Sequence, residues 1–310
     1  MAELSGLKRG RARARLAAAA TAAALLVTGM GAGSASAADP VPSAPTANEA
    51  RTPASGGSFG IQAEPGDAPI NALYGLNSAG DLYGYPPNGS GGLDSRIQVG
   101  WDWDNVKHAT QVDNDADGNS DGIWQITSTG GVYYGAWGED PFSIGSGWHI
   151  YNKIVSPGNL AGGVADDLIA RDSAGSLWIY LGYGNGKVNA RKKVGGGWQA
   201  YNQIAGKGDL TGDGKADIVA RDGGGTLWLY KGTGSHSAPF ATRTKIGAGW
   251  NQFNALTAVG DIDIDGKADL ITRDTAGALY LYKGTGNAAA PFKPRVKIGN
   301  SGWNTYRLLF

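Results

Sequence analysis

The chain has no cysteine, only three histidines and two methionines, and beyond residue 37 no stretch with a sustained helical period. Without cysteine, neither a disulfide nor a lipid-modified cysteine can hold or tether the protein. The three histidines, His108, His149 and His236, lie at unrelated points of the repeat, and none has a nearby Ser or Asp pairing that the sequence alone would nominate as catalytic. Stability must therefore come from a core, a metal or closure of the fold, and we predict that the protein is not an enzyme.

Long hydrophobic runs are also lacking, apart from a short alanine-rich one near the N-terminus. Five basic residues precede it: Lys8, Arg9, Arg11, Arg13 and Arg15. The run is followed by Ala35-Ser36-Ala37, which matches the cleavage site of a secretory signal peptide. It is shorter than the roughly 20 residues that span a bilayer. We therefore predict a signal peptide over residues 1–37, a secreted protein with cell-wall association left open, and no membrane insertion once the signal is removed.

Excess positive charge is absent from the predicted mature chain. Removing residues 1–37 leaves 22 basic and 26 acidic residues, a net charge of about −4. A mildly acidic surface gives no reason to expect a nucleic acid as partner. Residues 39–69 contain six of the thirteen prolines and show no apolar periodicity, so we predict a flexible linker over residues 38–69.

What the chain does have is internal repetition from residue 70 onward. A Gly-Trp pair recurs at intervals of 47, 50, 52 and 53 residues. Its tryptophans are Trp101, Trp148, Trp198, Trp250 and Trp303. Between the pairs the same parts recur in the same order, an apolar stretch, an acidic loop and further short runs separated by Gly-rich turns. A period of this length is typical of an array of small structural units.

The short runs predict β-strands, because they are rich in Ile, Leu, Val, Trp, Tyr and Thr and are bounded by turn residues. In the third run of a repeat, for example residues 227–230, aliphatic residues alternate with aromatic ones, so both faces are apolar. A sheet that buries both faces must lie between two neighbours. We predict an all-β fold of four-stranded antiparallel sheets arranged in a ring, which is a β-propeller.

The two ends of the repeat region complete each other. Residues 71–85 and 96–101 match strands two to four of a repeat, and residues 304–310 match a first strand with nothing after it. We therefore predict one propeller over residues 70–310 with five blades, the first built from both ends of the chain. The predicted blades are 70–101 plus 304–310, 102–148, 149–198, 199–250 and 251–303.

An acidic loop, DxDxDGxxD, separates the first and second predicted strands of a blade. Two complete copies are Asp113, Asp115, Asp117 and Asp121, and Asp261, Asp263, Asp265 and Asp269. A near-copy keeps Asp209, Asp213 and Asp217, with Thr211 at position 3. The equivalent residues 159–167 keep only Asn159 and Asp167 of these positions, and we expect no metal there.

Carboxylates at positions 1, 3 and 5, with glycine at 6, resemble the start of an EF-hand loop, here closed by a carboxylate at position 9. Oxygen ligands favour Ca²⁺ over zinc or copper. The alternative is a solvated Asx turn without metal. The recurrence of the pattern at one phase of the repeat favours Ca²⁺, and coordination by protein oxygens favours a structural role.

The acidic loop followed by a strand resembles the FG-GAP or VCBS repeat, the calcium-loop propeller unit of integrin α-chain heads and of many secreted bacterial proteins. The resemblance covers residues 70–310 and implies Ca²⁺ held by the aspartates of the three acidic loops. Five blades differ from the seven of the integrin head, so integrin-like ligand binding is not carried over. The five-fold count and segments such as DSAGSLWIY resemble tachylectin-type five-bladed lectins, which bind N-acetylated sugars between blades.

These observations favour a calcium-stabilised binding module for carbohydrate or another cell-surface polymer. The Gly-Trp tryptophans either stack on sugars or lock one blade to the next. Basic residues on the fourth strands, such as Arg191, Arg243 and Arg295, either protect the sheet edges or bind an acidic polymer. The alternative function is a protein-interaction subunit of a secreted complex, and an enzyme acting on polysaccharide is less favoured.

Overall fold

The computed structural model describes residues 63–64 and 66–310, and the backbone of residues 15–16. Apart from the backbone of residues 15–16, the predicted signal peptide therefore lies outside the described residues, as does most of the predicted linker. Within the part that is described, no helix has the length and apolar character needed to cross a membrane.

Apart from single 3-10 turns, the regular structure over residues 66–310 is β-strand. The strands, in chain order, are β1 Arg15–Leu16, β2 Leu73–Asn77, β3 Leu82–Tyr85, β4 Ile97–Trp101, β5 Val106–Val112, β6 Gly122–Thr127, β7 Val132–Ala136, β8 Phe142–Gly145, β9 Tyr151–Gly158, β10 Asp167–Asp172, β11 Leu177–Tyr180, β12 Lys192–Gly195, β13 Tyr201–Ala205, β14 Ile218–Asp222, β15 Leu227–Tyr230, β16 Thr244–Gly247, β17 Phe253–Gly260, β18 Asp269–Asp274, β19 Leu279–Tyr282, β20 Val296–Gly299 and β21 Tyr306–Leu309.

These strands form five antiparallel blades, and the prediction of a five-bladed β-propeller is confirmed. Blades 2 to 5 are the consecutive meanders β5–β8, β9–β12, β13–β16 and β17–β20. Blade 1 has the order β4-β3-β2-β21, with the two-residue strand β1 added outside β4. The predicted closure is present, because Gly75 pairs with Leu309 and Asn77 with Tyr306.

The apolar core is divided into five clusters, and each contains residues from two neighbouring blades. Between blades 2 and 3, for example, Trp124 of β6 packs in one cluster with Tyr151 of β9 and Ala170 of β10. The second strand β6 is buried on both faces, whereas in the third strands the aliphatic residues are buried and most of the aromatic residues are half-buried. The blades cannot bury these faces alone, so the ring is held by the contacts between blades.

The chain enters the ring through a segment that bridges two acidic loops. Ala68 N–H donates to the Gly266 carbonyl at 3.1 Å, and Ile70 N–H donates to the Gly118 carbonyl at 2.9 Å. The Pro69 carbonyl in turn accepts from Asp261 N–H at 2.7 Å. Residues 66–69, placed by the sequence in the linker, are therefore attached to the ring, and Ala68 is buried.

Candidate metal centres and binding surfaces

Two acidic loops each bring three carboxylates together. One connects β5 to β6 and contains Asp113, Asp115 and Asp117, and the other connects β17 to β18. In each loop one oxygen from every carboxylate lies within 4.8 Å of the others. The second set is Asp261, Asp263 and Asp265. The structure thus clusters the aspartates at positions 1, 3 and 5, as the pattern predicts.

The loop backbone holds the first aspartate in a fixed orientation. In the β5–β6 loop, Asp113 Oδ2 accepts from Gly118 N–H at 2.9 Å, and Asp113 Oδ1 accepts from Ala116 N–H at 2.7 Å. In the β17–β18 loop, Asp261 Oδ2 accepts from Gly266 N–H at 2.7 Å. Both glycines have left-handed backbones, with φ of 85° and 83°, which a residue with a side chain adopts only with strain.

Two buried carboxylate oxygens in the β17–β18 loop have no hydrogen-bond donor among the described residues. These are Asp261 Oδ1 and Asp263 Oδ1, and their carboxylates belong to the same three-residue cluster. A buried carboxylate oxygen without a partner is costly, and a hard cation would satisfy both atoms. The residues therefore fit the Ca²⁺ that the repeat family implies.

Lysines surround this second cluster and neutralise part of its charge. Lys283 Nζ lies 2.7 Å from Asp263 Oδ2, and Lys293 Nζ lies 3.3 Å from Asp265 Oδ2. Because Lys283 contacts Oδ2, the unpartnered Oδ1 of Asp263 stays available to a metal. No ion pair of this kind involves Asp115 or Asp117 among the described residues.

The aspartate at position 9 also accepts hydrogen bonds from backbone amides. Asp269 Oδ2 accepts from Ile262 N–H at 2.9 Å and Oδ1 accepts from Gly284 N–H at 2.7 Å. Asp217 accepts from Leu210 and Gly232 N–H in the same way. Asp121 and Asp269 are not members of the three-carboxylate clusters. Their position at the start of the second strand directs them toward backbone amides, so they brace the loop against the sheet.

Burial makes these carboxylates hard to ionise without a cation. Desolvation, with a further contribution from Asp166, raises the pKa of Asp113 to about 7. Desolvation likewise raises the pKa of Asp269 to about 7 and that of Asp261 to about 6. A bound divalent cation would favour the ionised forms and offset this cost.

The near-copy between β13 and β14 folds similarly but does not gather three carboxylates. Asp209 Oδ2 accepts from Gly214 N–H at 2.5 Å, as the position 1 aspartates of the complete loops do. Thr211 hydroxyl donates to Asp209 Oδ1 at 3.3 Å, and Asp213 pairs with Lys231 at 3.2 Å. This loop therefore has fewer ligand oxygens for a metal than the two complete loops.

The Gly-Trp tryptophans lie mainly at the blade junctions. Trp148, Trp198 and Trp250 are buried and begin 3-10 turns, and Trp303 is half-buried and begins a fourth. The Trp148 ring stacks on Tyr180, with centroids 4.4 Å apart. This burial favours the blade-locking role over stacking on a ligand.

The first junction uses a tryptophan that the sequence pattern did not select. Trp101 is 43% exposed, whereas Trp103 is fully buried. Trp103 N–H donates to the Gly80 carbonyl at 3.0 Å, the bond that Trp148 N–H makes to Gly130. Trp103 therefore replaces Trp101 as the repeat tryptophan. A spacing of three residues from the tryptophan to the start of the first strand would have identified it.

Each junction also has a basic side chain that donates to the backbone of the next blade. We call these five residues the junction cations: Arg307, Lys107, Arg171, Arg221 and Arg273. In the clearest case, Arg221 donates to the Trp250 carbonyl at 3.0 Å and to the Phe253 carbonyl. A charged donor saturates carbonyls that the 3-10 turn leaves free.

The junction cation comes from either of two adjacent strands. In blades 3 to 5 it lies on the second strand, and Asn152, Asn202 and Asn254 occupy the second position of the first strand. In blade 1 the register places Leu76 at the arginine position, and Arg307 of β21 supplies the charge instead. Lys107 of β5 does the same in blade 2. The sequence pattern missed this exchange because it appears only once strand register is known.

The outer surface has a second repeated arrangement. An arginine of the fourth strand or just before it lies over an aromatic ring of the third strand in four blades, with 4.1 to 4.7 Å between Cζ and the ring centroid. The pairs are Arg96 with Tyr83, Arg191 with Trp178, Arg243 with Trp228, and Arg295 with Tyr280. All four rings are half-buried. We call these the aromatic–arginine pairs.

A family model confirms part of the sequence resemblance. Residues 209–272 match the model of the FG-GAP-like repeat. The matched stretch runs from the third acidic loop through the complete acidic loop of blade 5. No curated protein matches the chain.

Solved structures with a similar fold are distant in sequence. The BP39L lectin of Burkholderia pseudomallei is 14% identical, with a TM-score of 0.45 over 76% of this chain and 71% of its own. AofleA of Arthrobotrys oligospora is 11% identical, with a TM-score of 0.43 over 77% and 75%. BBS1N, solved in complex with ARL6DN, is 12% identical, with a TM-score of 0.40. The similarity covers 74% of this chain and 64% of the BBS1N chain.

Proposed function

We propose that this protein is a secreted, non-catalytic β-propeller that binds carbohydrate or another cell-surface polymer, and that Ca²⁺ stabilises its ring. The observation that carries the binding role is the set of aromatic–arginine pairs, which recurs at equivalent positions of four blades. The predicted signal peptide supports secretion, and the unpartnered oxygens of Asp261 and Asp263 support the metal.

The aromatic–arginine pairs have the chemistry of a carbohydrate site. In blade 4, Trp228 offers an aromatic face, Arg243 lies 4.1 Å from its centroid, and Asp222 accepts from the indole N–H at 2.9 Å. Blade 3 repeats the arrangement with Trp178 and Arg191. An aromatic face with fixed charged groups can contact the apolar and the hydroxyl-bearing sides of a sugar ring.

Repetition around the ring makes weak sites useful. Four equivalent sites on one rigid disc would engage a polymer or a dense surface together, and their combined affinity would exceed that of one site by orders of magnitude. Most of the Gly-Trp tryptophans are buried, so we assign the stacking on sugars to the third-strand aromatic residues instead.

The metal loops are proposed as braces for this disc. Gly118 and Gly266, one in each complete loop, accept hydrogen bonds from the same entering segment. Ca²⁺ in both loops would fix their turns and hold that segment against the ring. The placement of the histidines supports a non-catalytic role, since His149 is exposed and His108 lies in the channel at the ring centre.

A glycan array with the Ca²⁺-loaded protein tests the proposal. We expect binding to a defined group of sugars, and we expect Trp228→Ala to weaken it by severalfold in a polyvalent format. Trp101→Ala is the matched control, because Trp101 is exposed but is not one of the aromatic–arginine pairs. Binding that is absent for every sugar, together with co-purification of a secreted protein, would favour the interaction-subunit alternative instead.

A further inference from the structure

The centre of the ring contains a cavity of about 210 Å³. It is lined by the innermost strand of each blade, and these inner strands are β21, β5, β9, β13 and β17. A single water needs only about 15 Å³ of such space, so the cavity has room for a small molecule. The third residue of each inner strand lines it. These residues are His108, Lys153, Gln203, Ala255 and Leu308.

Lys207 is one of the cations that line the cavity. Lys207 is 3% exposed and forms an ion pair with Asp166. Its ammonium group also donates to the Gln111 carbonyl at 3.3 Å. The charge of Lys207 is therefore already neutralised, and this group does not create a demand for an anion.

Lys153 differs, because no carboxylate or hydrogen-bond acceptor is assigned to its ammonium group among the described residues. The charged groups that act on it are Arg171 and Arg221, and together with burial they lower its pKa. Lys153 in turn lowers the pKa of His108. None of the described residues lining the cavity is acidic. The cavity thus has a positive wall without a counter-charge.

Further polar atoms at the cavity lack partners. His108 Nε2, Gln111 Oε1 and Ser156 Oγ are buried without a hydrogen bond in the described structure, and all three residues line the cavity. Buried polar atoms are normally satisfied by protein or by a bound molecule. All three belong to the first strands of blades 2 and 3, and Lys153 lies on the latter strand and acts on His108.

Part of the wall formed by blades 5 and 1 is apolar. These blades contribute Ala255, Leu308 and Phe310 to the lining, beside the polar Asn254 and Thr257 and the cationic Arg273 and Arg307. An inorganic oxyanion would leave this apolar part in contact with charge or water, whereas the carbon body of an organic acid would cover it.

We propose that the central cavity binds a small organic carboxylate, with its charged group facing Lys153 and its carbon body against Ala255 and Leu308. The site is separate from the acidic loops and from the aromatic–arginine pairs. It is a site for a small soluble ligand, and it does not depend on the proposed carbohydrate function.

Sodium butyrate is the probe, titrated calorimetrically into the protein against sodium chloride at equal ionic strength. We expect saturable binding of one butyrate per chain and a rise in melting temperature. Lys153→Met, which keeps the length of the side chain and removes its charge, should weaken binding at least tenfold. Lys245→Met is the matched control, since Lys245 is exposed on the fourth strand of blade 4, and it should leave the affinity unchanged.

A second variant guards against a folding defect in Lys153→Met. Ala255→Leu places a larger side chain in the space that the carbon body of butyrate would occupy, and it leaves the charge of Lys153 in place. It should therefore also abolish binding of butyrate. The proposal is overturned if the unaltered protein shows no saturable binding, or if Lys153→Met binds butyrate as tightly as Lys245→Met does. Sodium sulfate binding as tightly as butyrate would refute the assignment to an organic acid.

Discussion

Replacement of a junction cation tests how the blades are held together, and Arg221→Met is the sharpest case. Arg221 is 7% exposed, and one nitrogen of its guanidinium donates to two carbonyls of blade 5. A hydrogen bond to a charged group contributes about 1.5–3 kcal/mol, so the two together contribute about 3–6 kcal/mol. Methionine fills part of the space and removes the cost of burying a cation, which leaves a net loss of about 2–4 kcal/mol.

Thermal and urea unfolding followed by circular dichroism measure this loss. For a domain of this size the loss corresponds to a fall in melting temperature of about 5–15 °C. Arg243→Met is the control, because that arginine is exposed and lies 4.1 Å over the Trp228 ring. Its removal should cost no more than about 1 kcal/mol.

The exchange of strands seen in blades 1 and 2 supplies a rescue. In blade 1, Arg307 occupies the first-strand position that Asn202 occupies in blade 4. Asn202→Arg in the Arg221→Met background should therefore recover at least half of the lost melting temperature. The reasoning is refuted if Arg221→Met melts like Arg243→Met, or if Asn202→Arg restores nothing.

The other predictions concern packing, pH and metal. Trp103→Ala should cost about 3–5 kcal/mol in urea unfolding, and Trp101→Ala less than about 1 kcal/mol, because only Trp103 is fully buried; equal losses would contradict the assignment of the repeat tryptophan. Burial raises the pKa of Asp167 to about 7, so the ionised form is disfavoured on folding. The stability that this group contributes is fully present below its ordinary pKa and is lost as pH rises. Relative to Asp167→Asn, the free energy of unfolding of the unaltered protein should therefore fall by on the order of 3 kcal/mol between pH ~4 and pH ~7. Parallel curves of unfolding free energy against pH for the two proteins would contradict this. Lys283→Met removes an ammonium 2.7 Å from Asp263 and should tighten calorimetric Ca²⁺ binding up to about fivefold, whereas weaker binding would count against a metal in that loop.

The architecture was predictable because its signals are periodic. The Gly-Trp phase, the two apolar faces of the third strand and the complementary ends of the chain were sufficient to predict five blades and the closing strand β21. Repeated local patterns report which faces must be buried, and they do so without knowledge of long-range contacts.

The tasks of individual residues were harder to predict. The DxDxDGxxD pattern predicts Asp121 and Asp269 as ligands, and Asp167 shows a further role of position 9, since it is present in a loop that lacks the aspartates at positions 1, 3 and 5. Asp167 accepts from Leu160, Ala161 and Gly182 N–H. Survival of this aspartate alone was a signal that position 9 braces the sheet.

Contacts between blades could not be predicted from one repeat at a time. Arg307 on β21 and Arg171 on β10 perform the same task from different strands. Only the register of the closed ring shows that they are equivalent. The central cavity could not be predicted for the same reason, because its polar wall combines residues from separate blades.

A calorimetric titration of the chelator-treated protein with Ca²⁺ tests the central claim most directly. The account predicts two sites per chain, one for each cluster of three carboxylates. Asp115→Asn should remove one site and Asp263→Asn the other, while Asp94→Asn, an exposed control outside the acidic loops, should keep both. Absence of Ca²⁺ binding, or unchanged stoichiometry in both loop variants, would contradict the claim that these aspartates hold metal and brace the ring.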